Sequence, residues 1–398
     1  MYFDFGPKSS ILFLFFIHGI VFSILICNNG FKNGIKSNYW LASFVFLCAM
    51  YIAPFVLGYG GWYSRQPYRD VLFYTPFQQL FLMPPLLFFY IKSLLNPSYI
   101  FKKKDWLHFL PAILYLLYAI IIWVIDDFIV NDYYFYADNR DKDLDLWYQV
   151  SGFGLMVFYL FKCLQLYQEY KRNTYQTVSF ADSILFDWIQ KFLIIYLLLL
   201  MIRILFFFLN PEWANFGSKF WYYISFSILF YFLSISGYIN SVKMGISLSN
   251  HYNFNQPLSD LLHSEDKRGS SIIGSEEDHT GAAVDENLKS RLENLMITEK
   301  TYKNPDLTLF DIAQSLGTHP KKVSNTVNKG FNMNFNDFVN SFRIQEVIQT
   351  FQSQNTITKT LLGIALDSGF NSKSTFNRAF KKQMKMTPKE YFKNNTQK

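Results

Sequence analysis

Seven stretches of this chain are each apolar over about the 20 residues that a helix needs to cross a hydrocarbon core of ~30 Å. They fall at roughly 9–27, 38–58, 71–92, 106–125, 146–166, 188–209 and 220–240. Nothing else in the sequence narrows the fold as far. Lipid offers no water to backbone N–H and C=O groups, so apolar runs of this length must satisfy those groups internally, as helices. The run from Tyr39 to Gly58 carries no charge, nor does the run from Phe220 to Val242. Aromatic pairs mark many of the ends, among them Tyr39-Trp40, Trp62-Tyr63, Trp147-Tyr148 and Trp221-Tyr222. Amphipathic rings settle where a bilayer meets water. Composition agrees, because only 17% of the residues are charged, against about 25% in a soluble globular chain. The 44 Phe and 27 Tyr exceed what a water-exposed surface could hide. A wholly soluble protein and a wholly disordered one are both excluded.

The first run lacks the basic leader and the small-x-small cleavage site of a signal peptide, so it reads as a span. With the N-terminus outside, the inner loops carry Lys32, Lys36, Lys102, Lys103, Lys104, Lys171, Arg172 and Lys243. The outer segments carry Lys8, Arg65, Arg69, Arg140, Lys142 and Lys219. This positive-inside bias is small, and the acidic loop from Asp126 to Asp145 leans the same way. Seven spans then place the C-terminus in the cytoplasm.

The polar part of the chain is at the other end. From Leu288 onward there are 17 Lys and Arg against 8 Asp and Glu, while the rest of the chain is slightly acidic. A basic domain points to nucleic acid or an anionic surface as its partner. The reading by domains is therefore 1–242 as the membrane region, 243–286 as a flexible polar linker and 287–398 as a basic domain. The linker is rich in Ser, Asp, Glu, His and Gly and lacks the apolar content of a core. Leu288, Leu292, Leu295 and Met296 then recur at helical spacing, so a helix resumes near 285.

An internal repeat organises the basic domain. Ile312-Ala313-Gln314-Ser315-Leu316-Gly317 is matched by Ile364-Ala365-Leu366-Asp367-Ser368-Gly369. The pattern fits a helix-turn-helix: Ala lets a second helix pack closely and Gly takes the sharp turn. Thr318 and Asn371 follow the glycines as candidate N-caps, and Pro320 suits a first helical turn. Val323 and Phe376 are expected to face back onto the first helix of each unit. The second helices are expected at about 319–328 and 372–383, with a connecting helix over Phe335–Phe351.

These motifs carry a resemblance. NPDLTLFDIAQSLG, FNDFVNSFRIQEV, IALDSGFNSKSTFNRAFKK and TPKEY occur in the order and spacing of the DNA-binding domain of AraC/XylS-type bacterial transcription regulators. The segment from about 300 to 393 resembles that domain. The resemblance implies two helix-turn-helix units joined by a long helix, with recognition helices entering successive major grooves about 34 Å apart. Base-reading positions of the family fall on Lys321, Ser324 and Asn325, and on Lys373, Ser374, Asn377 and Arg378; Asn371 lies at the entry of the second recognition helix. Lys322, Lys381 and Lys382 suit phosphate contacts, which position rather than specify. Two positions depart from the family pattern. Asn325 stands where the family often has Arg, and Lys385 stands where it usually has Gly before Thr387-Pro388, which implies a less tightly turned loop.

Other features are weaker. Arg203 lies within the sixth run, where a charge faces a bundle interior or cavity, as a ligand contact or a structural partner. His18 in the first run reads as a hydrogen-bonded packing residue, with a sensing role as the lesser alternative. Pro54 and Pro84-Pro85 are expected to kink their helices. The acidic stretch Asp138–Asp145 fails the EF-hand template, since Leu146 stands in place of the Gly, and reads as a solvated loop. Cys27, Cys48 and Cys163 fall in apolar runs and read as reduced packing residues. Phosphate-loop, zinc-protease, hydrolase-elbow and histidine-kinase patterns are all missing, so the sequence calls for no enzyme activity, no metal and no cofactor.

The expected protein is all-α: a seven-helix transmembrane bundle followed by a cytoplasmic domain with two helix-turn-helix units. Its place would be the bacterial inner membrane, and its role that of a transcription regulator coupling a membrane or extracytoplasmic signal to promoter binding. Its partners would be double-stranded promoter DNA, the lipid bilayer and a signal ligand that the sequence does not identify, and a homodimer is compatible with it. The rival reading is a transporter or membrane enzyme with a fused reporting domain, and a passive anchor is a third.

Overall fold

A computed structural model describes residues 3–96, 98–137, 141–181, 187–209, 219–250, 285–353 and 359–396. The described residues are helices and turns, with one isolated antiparallel bridge between Val178 and Thr308. Two compact units result: Met1–Tyr167 with Asp187–Pro257, and Gln168–Phe186 with Leu258–Lys398.

Among its described residues, the first unit has eight α-helices: α1 (Pro7–Asn33), α2 (Lys36–Tyr59), α3 (Tyr68–Tyr74), α4 (Met83–Leu95), α5 (Leu110–Val124), the first part of α6 (Leu146–Thr177), α7 (Asp187–Leu209) and α8 (Phe220–Asn250). Pro7 starts α1, where its missing N–H costs nothing, and Gly34 in the left-handed region ends it. The central element is α2, whose Phe44, Val45, Cys48, Ala49, Ile52 and Phe55 are all buried. Gly19 of α1 lets helices approach closely, because a Cβ there would lie 2.7 Å from Ala49 Cβ and 2.8 Å from the Phe230 ring. Ser227, Ser234 and Ser241 recur every seventh residue along the buried side of α8. Ser241 Oγ accepts bonds from Asn29 (2.5 Å) and Asn38 (2.7 Å), and Ser234 bonds His18 at 2.7 Å. Such side-chain bonds hold helices together where no hydrophobic force acts between them.

Among the described residues, six helical segments are long and apolar enough to cross a membrane: Pro7–Asn33, Lys36–Tyr59, Lys103–Val130, Leu146–Thr177, Trp188–Leu209 and Phe220–Met244. The seventh expected span, 71–92, is broken. It divides into α3 and α4 with non-helical backbone between them. Pro76, Pro84 and Pro85 account for the break: Pro84 and Pro85 do not kink a helix but open α4, in whose first turn they sit. The 13 residues of α4 rise only about 20 Å, short of a ~30 Å core. Pro54, by contrast, does lie inside α2.

The loop read as solvated is also corrected. Asp141 and Asp143 are buried. Asp143 accepts bonds from Gln78 N (2.8 Å) and from the Tyr115 hydroxyl, and Asp141 from Tyr63 (3.0 Å) and Asp143 N (3.0 Å). Burial is the main cause that pushes the Asp143 carboxyl up to about 6. Burial, and then the charge of Asp143, push Asp141 well up too. Partners from α5 and from the broken segment pull this loop inward, and no local sequence pattern encodes them.

The second unit holds α9 (Glu286–Thr298), α10 (Leu309–Ser315), α11 (Pro320–Asn325), α12 (Phe335–Ser353), α13 (Leu361–Asp367), α14 (Lys373–Met384) and α15 (Pro388–Thr396). The expected helix near 285 is α9. Asp285 caps it by accepting from Asn287 N and Leu288 N, and Leu288, Leu292, Leu295 and Met296 are buried. Of the expected linker, 243–250 continues α8, while 251–284 lies outside the described residues.

Candidate nucleic-acid interface

Each Ile-Ala-x-x-x-Gly motif ends the first helix of a helix-turn-helix. Gly317 (φ +59°) and Gly369 (φ +98°) take the left-handed turn that the repeat requires. The helix N-caps fall one residue later than Thr318 and Asn371. His319 Nδ1 accepts from Lys321 N at 3.2 Å, and Ser372 Oγ from Thr375 N at 3.2 Å. The left-handed glycine carries the chain one residue further before the helix can start. Pro320 opens α11 as expected. The first recognition helix is shorter than 319–328, because α11 ends at Asn325 and passes into a wider π turn over Thr326–Gly330. The second, α14, matches the expected span closely.

Two small cores hold the units. Val323 joins Ile312, Ala313, Leu316, Val327 and Phe338 in the first. Phe376 joins Ile364, Ala365, Phe370 and Phe380 in the second. The connecting helix α12 contributes to both, Phe338 and Val339 to one and Ile344 and Val347 to the other. It therefore fixes the geometry between the two recognition helices.

The apolar faces being consumed in these cores, the remaining side chains turn outward. Lys321, Lys322 and Asn325 are exposed on α11, and Ser324 is half-buried, with Asn328 donating to it at 3.4 Å. Lys373, Ser374, Asn377, Arg378, Lys381 and Lys382 are all exposed on α14. Asn371 is exposed and donates to Asp306 at 3.2 Å. Lys382 is engaged by both Asp337 oxygens, at 2.6 and 2.7 Å. A phosphate contact by Lys382 must therefore displace a surface ion pair, an interaction of about 0–1 kcal/mol. Lys385, expected in a looser loop, sits instead in a full left-handed turn at φ +61°, with its N–H on Lys381 O. The turn survives without Gly at the cost of backbone strain.

The sequence reading missed the centre of this unit. Arg343 of α12 is fully buried. It donates to Tyr302 O (2.8 Å), Asn304 O (2.7 Å) and Asn340 Oδ1 (3.3 Å), and to both oxygens of Ser179. Burial pulls its guanidinium down to about 10. Beside it, burial would raise the Glu346 carboxyl, but bonds from Lys303 (2.6 Å), Tyr302 (2.9 Å) and Lys300 (3.2 Å) hold it below its ordinary value. An Arg in a polar–apolar helical pattern gives no sign that its acceptors are backbone carbonyls.

Residues 312–394 match the model of a family described as a helix-turn-helix domain. The C-terminal domain is of the AraC type. No curated protein and no solved structure matches the chain. The AraC-type domain thus follows a region of long apolar helices.

Within the first unit, Arg203 and His18 occupy separate places. Arg203 donates to the backbone and side-chain oxygens of Gln149 and lies 3.8 Å from Met156 Sδ. It lines a cavity of about 370 Å³ with Gln149, Phe206, Lys219, Tyr222 and Tyr223. A second cavity of about 30 Å³ touches Arg203 and Tyr196, whose buried hydroxyl has no hydrogen-bond partner. That is room for one water molecule. Gln149 relays the contact onward: its amide donates to Gln78 Oε1 at 2.9 Å, and Gln78 in turn donates to Tyr223 at 2.8 Å. His18 packs against Phe22 and Tyr231 besides its bond to Ser234. Among the described residues, no group of three or more His, Cys, Asp or Glu is placed to hold a metal ion.

Proposed function

We propose that this chain is a membrane-anchored, sequence-specific transcription regulator, in which a multi-pass helical region receives a signal and the C-terminal domain acts on promoter DNA. One observation carries the reading. The described residues of one chain include six helices long and apolar enough to cross a bilayer and an AraC-type domain whose two recognition helices present exposed basic and amide side chains. Arg378 is suited to guanine, Asn325 and Asn377 to adenine, and Lys322 and Lys381 to phosphates. The helices α11 and α14 would enter successive major grooves about 34 Å apart.

DNA lies in the cytoplasm, so the domain belongs on the cytoplasmic side of the inner membrane, with the N-terminus outside. That orientation requires an odd number of crossings. The segment Tyr68–Leu95 supplies the seventh, in two helical pieces. Irregular backbone is tolerated at membrane depth only where protein covers it, and here Gln78, Gln79 and Leu80 are buried. Leu80 N donates to the Tyr148 hydroxyl at 3.0 Å. By domains, 1–242 is the membrane region apart from Gln168–Phe186, which belongs to the second unit, 243–286 is the connection and 287–398 the DNA-binding part. The candidate signal site is the largely apolar cavity lined by Gln149, Arg203, Phe206, Lys219, Tyr222 and Tyr223.

Membrane vesicles with the cytoplasmic face outward test this reading. Wild-type vesicles are expected to retain discrete promoter fragments against excess competitor DNA, and Arg378→Ala vesicles to retain them more weakly, with preference relaxed at one base pair. Equal retention of all fragments by wild type would overturn it.

A further inference from the structure

The bridge at Val178 joins two parts of the chain far apart in sequence. Ser179 N donates to Leu307 O at 3.1 Å, and Val178 pairs with Thr308, the N-cap of α10. Ser179 O accepts from Asn336 Nδ2 at 2.8 Å and from Arg343 Nη1 at 3.4 Å, while Ser179 Oγ accepts from Arg343 Nη2 at 3.0 Å. Val178, Ser179, Phe180 and Ala181 are all buried. Connections between helices ordinarily run over the surface, so a connection whose four consecutive residues are buried is a seated one.

Arg343 shows what the seat does. A guanidinium has five N–H donors. Here two of its hydrogen bonds go to Ser179, and the other three go to Tyr302, Asn304 and Asn340. Without Ser179 a buried cation would lose two of these five hydrogen bonds. The same side chain borders the turn of the second unit, since a Cβ on Gly369 would meet its Nε at 2.9 Å. The seat therefore lies at the junction of both helix-turn-helix units and the helix that spaces them.

The covalent path into the seat is direct. The 32 residues of α6 rise about 48 Å, some 18 Å more than a ~30 Å hydrocarbon core requires. Its last turns, Gln168–Thr177, are polar (QEYKRNTYQT) and end at the residue before Val178. The path from α8 passes through all of 251–284.

We infer that Val178–Ala181 is an integral docking element of the DNA-binding domain, seated on Leu307–Thr308, Asn336 and Arg343, and that this seat is the route by which the membrane helices set the geometry of the two recognition helices. The inference rests on the regulator reading above for its functional consequence, and on the hydrogen bonds of Ser179 for its physical basis. A change in α6 or α7 reaches Arg343 through Ser179, and reaches both units through Arg343.

The test uses the full chain in membranes or detergent. In a Cys27→Ser background, Val178→Cys with Thr308→Cys is expected to form a disulfide on mild oxidation, read as a linked peptide by mass spectrometry. Directly opposed residues of an antiparallel pair meet the Cα separation that a disulfide needs. Ala181→Glu, which alters no residue beyond 285, is expected to raise amide exchange about ten-fold or more over 302–312 and 336–343. Ser179→Ala keeps the backbone bonds and loses only the hydroxyl, so it is expected to give a smaller rise in the same segments. Both are expected to alter the DNA footprint relative to wild type. Absence of the linked peptide, or exchange unchanged in both variants, would overturn the seat. If wild type itself leaves no footprint, the regulator reading falls while exchange still decides the seat. If wild type and both variants share one footprint, the seat has no control over DNA binding and the inference is wrong.

Discussion

Replacing Gly369 by Ala probes the turn on which the second helix-turn-helix depends. Its φ of +98° is a conformation that L-residues rarely adopt. The backbone cost is about 1–2 kcal/mol. The new Cβ would lie 2.4 Å from Tyr302 O, 2.9 Å from Arg343 Nε and 3.0 Å from Lys303 Cα. Two of these neighbours are backbone and the third belongs to a buried guanidinium held by several hydrogen bonds, so none can step aside cheaply. Overpacking of this kind costs about 1–3 kcal/mol more. The sum of about 2–5 kcal/mol corresponds to a fall of roughly 10–25 °C in the unfolding midpoint of a domain this size. Gly317 is the internal control. Its φ is +59°, but a Cβ there meets nothing within 4 Å. Gly317→Ala should cost only the backbone term, about 1 kcal/mol or ~5 °C. Thermal unfolding of the detergent-solubilised chain, followed by proteolysis of the C-terminal domain, measures both. Equal shifts for the two variants would refute the packing argument.

The other predictions concern different parts of the molecule. Arg378→Ala should weaken specific binding by about 1–3 kcal/mol and relax preference at one base pair, whereas Lys381→Ala should weaken all sequences alike and lower the salt slope by about 1; titrations across DNA variants and salt concentrations separate the two. Lys385→Gly should raise the midpoint of the C-terminal domain by a few degrees, because it relieves about 1 kcal/mol of left-handed strain; an unchanged or lower midpoint counts against that strain. Asp143 titrates at about 6 when folded, above the ~3.9 of an unfolded chain. The folded state therefore binds its proton more tightly, so this contribution is complete below pH ~4 and is lost as the pH rises through about 6. The unfolding midpoint of the first unit should fall as the pH rises from about 4 to about 6, and Asp143→Asn should flatten that slope; identical slopes would contradict the assignment.

What could be read from the sequence follows from how local each signal is. The helix-turn-helix units were legible because Ile312-Ala313 and Gly317, then Ile364-Ala365 and Gly369, encode packing and turn within a few residues. The polar faces of α11 and α14 follow from the same periodicity, since Val323 and Phe376 fix which side is buried. The N-caps were displaced because a left-handed glycine adds a residue that pattern counting does not see. The broken third span was signalled by Pro76 and Pro84-Pro85, yet hydropathy averages over proline. Asp141 and Asp143 looked solvated because their partners, Tyr63, Tyr115 and Gln78, come from other elements. Arg343 and Ser179 were invisible for the same reason: their bonds cross more than 150 residues and use backbone atoms on which sequence leaves no mark.

Genome-wide DNA occupancy of the full-length protein, cross-linked in intact cells and recovered from the membrane fraction, tests the central claim most directly. The account predicts a small set of discrete promoter sites that are lost when Asn377 and Arg378 are both replaced by Ala. Occupancy without discrete sites, or sites unchanged in that variant, would contradict it.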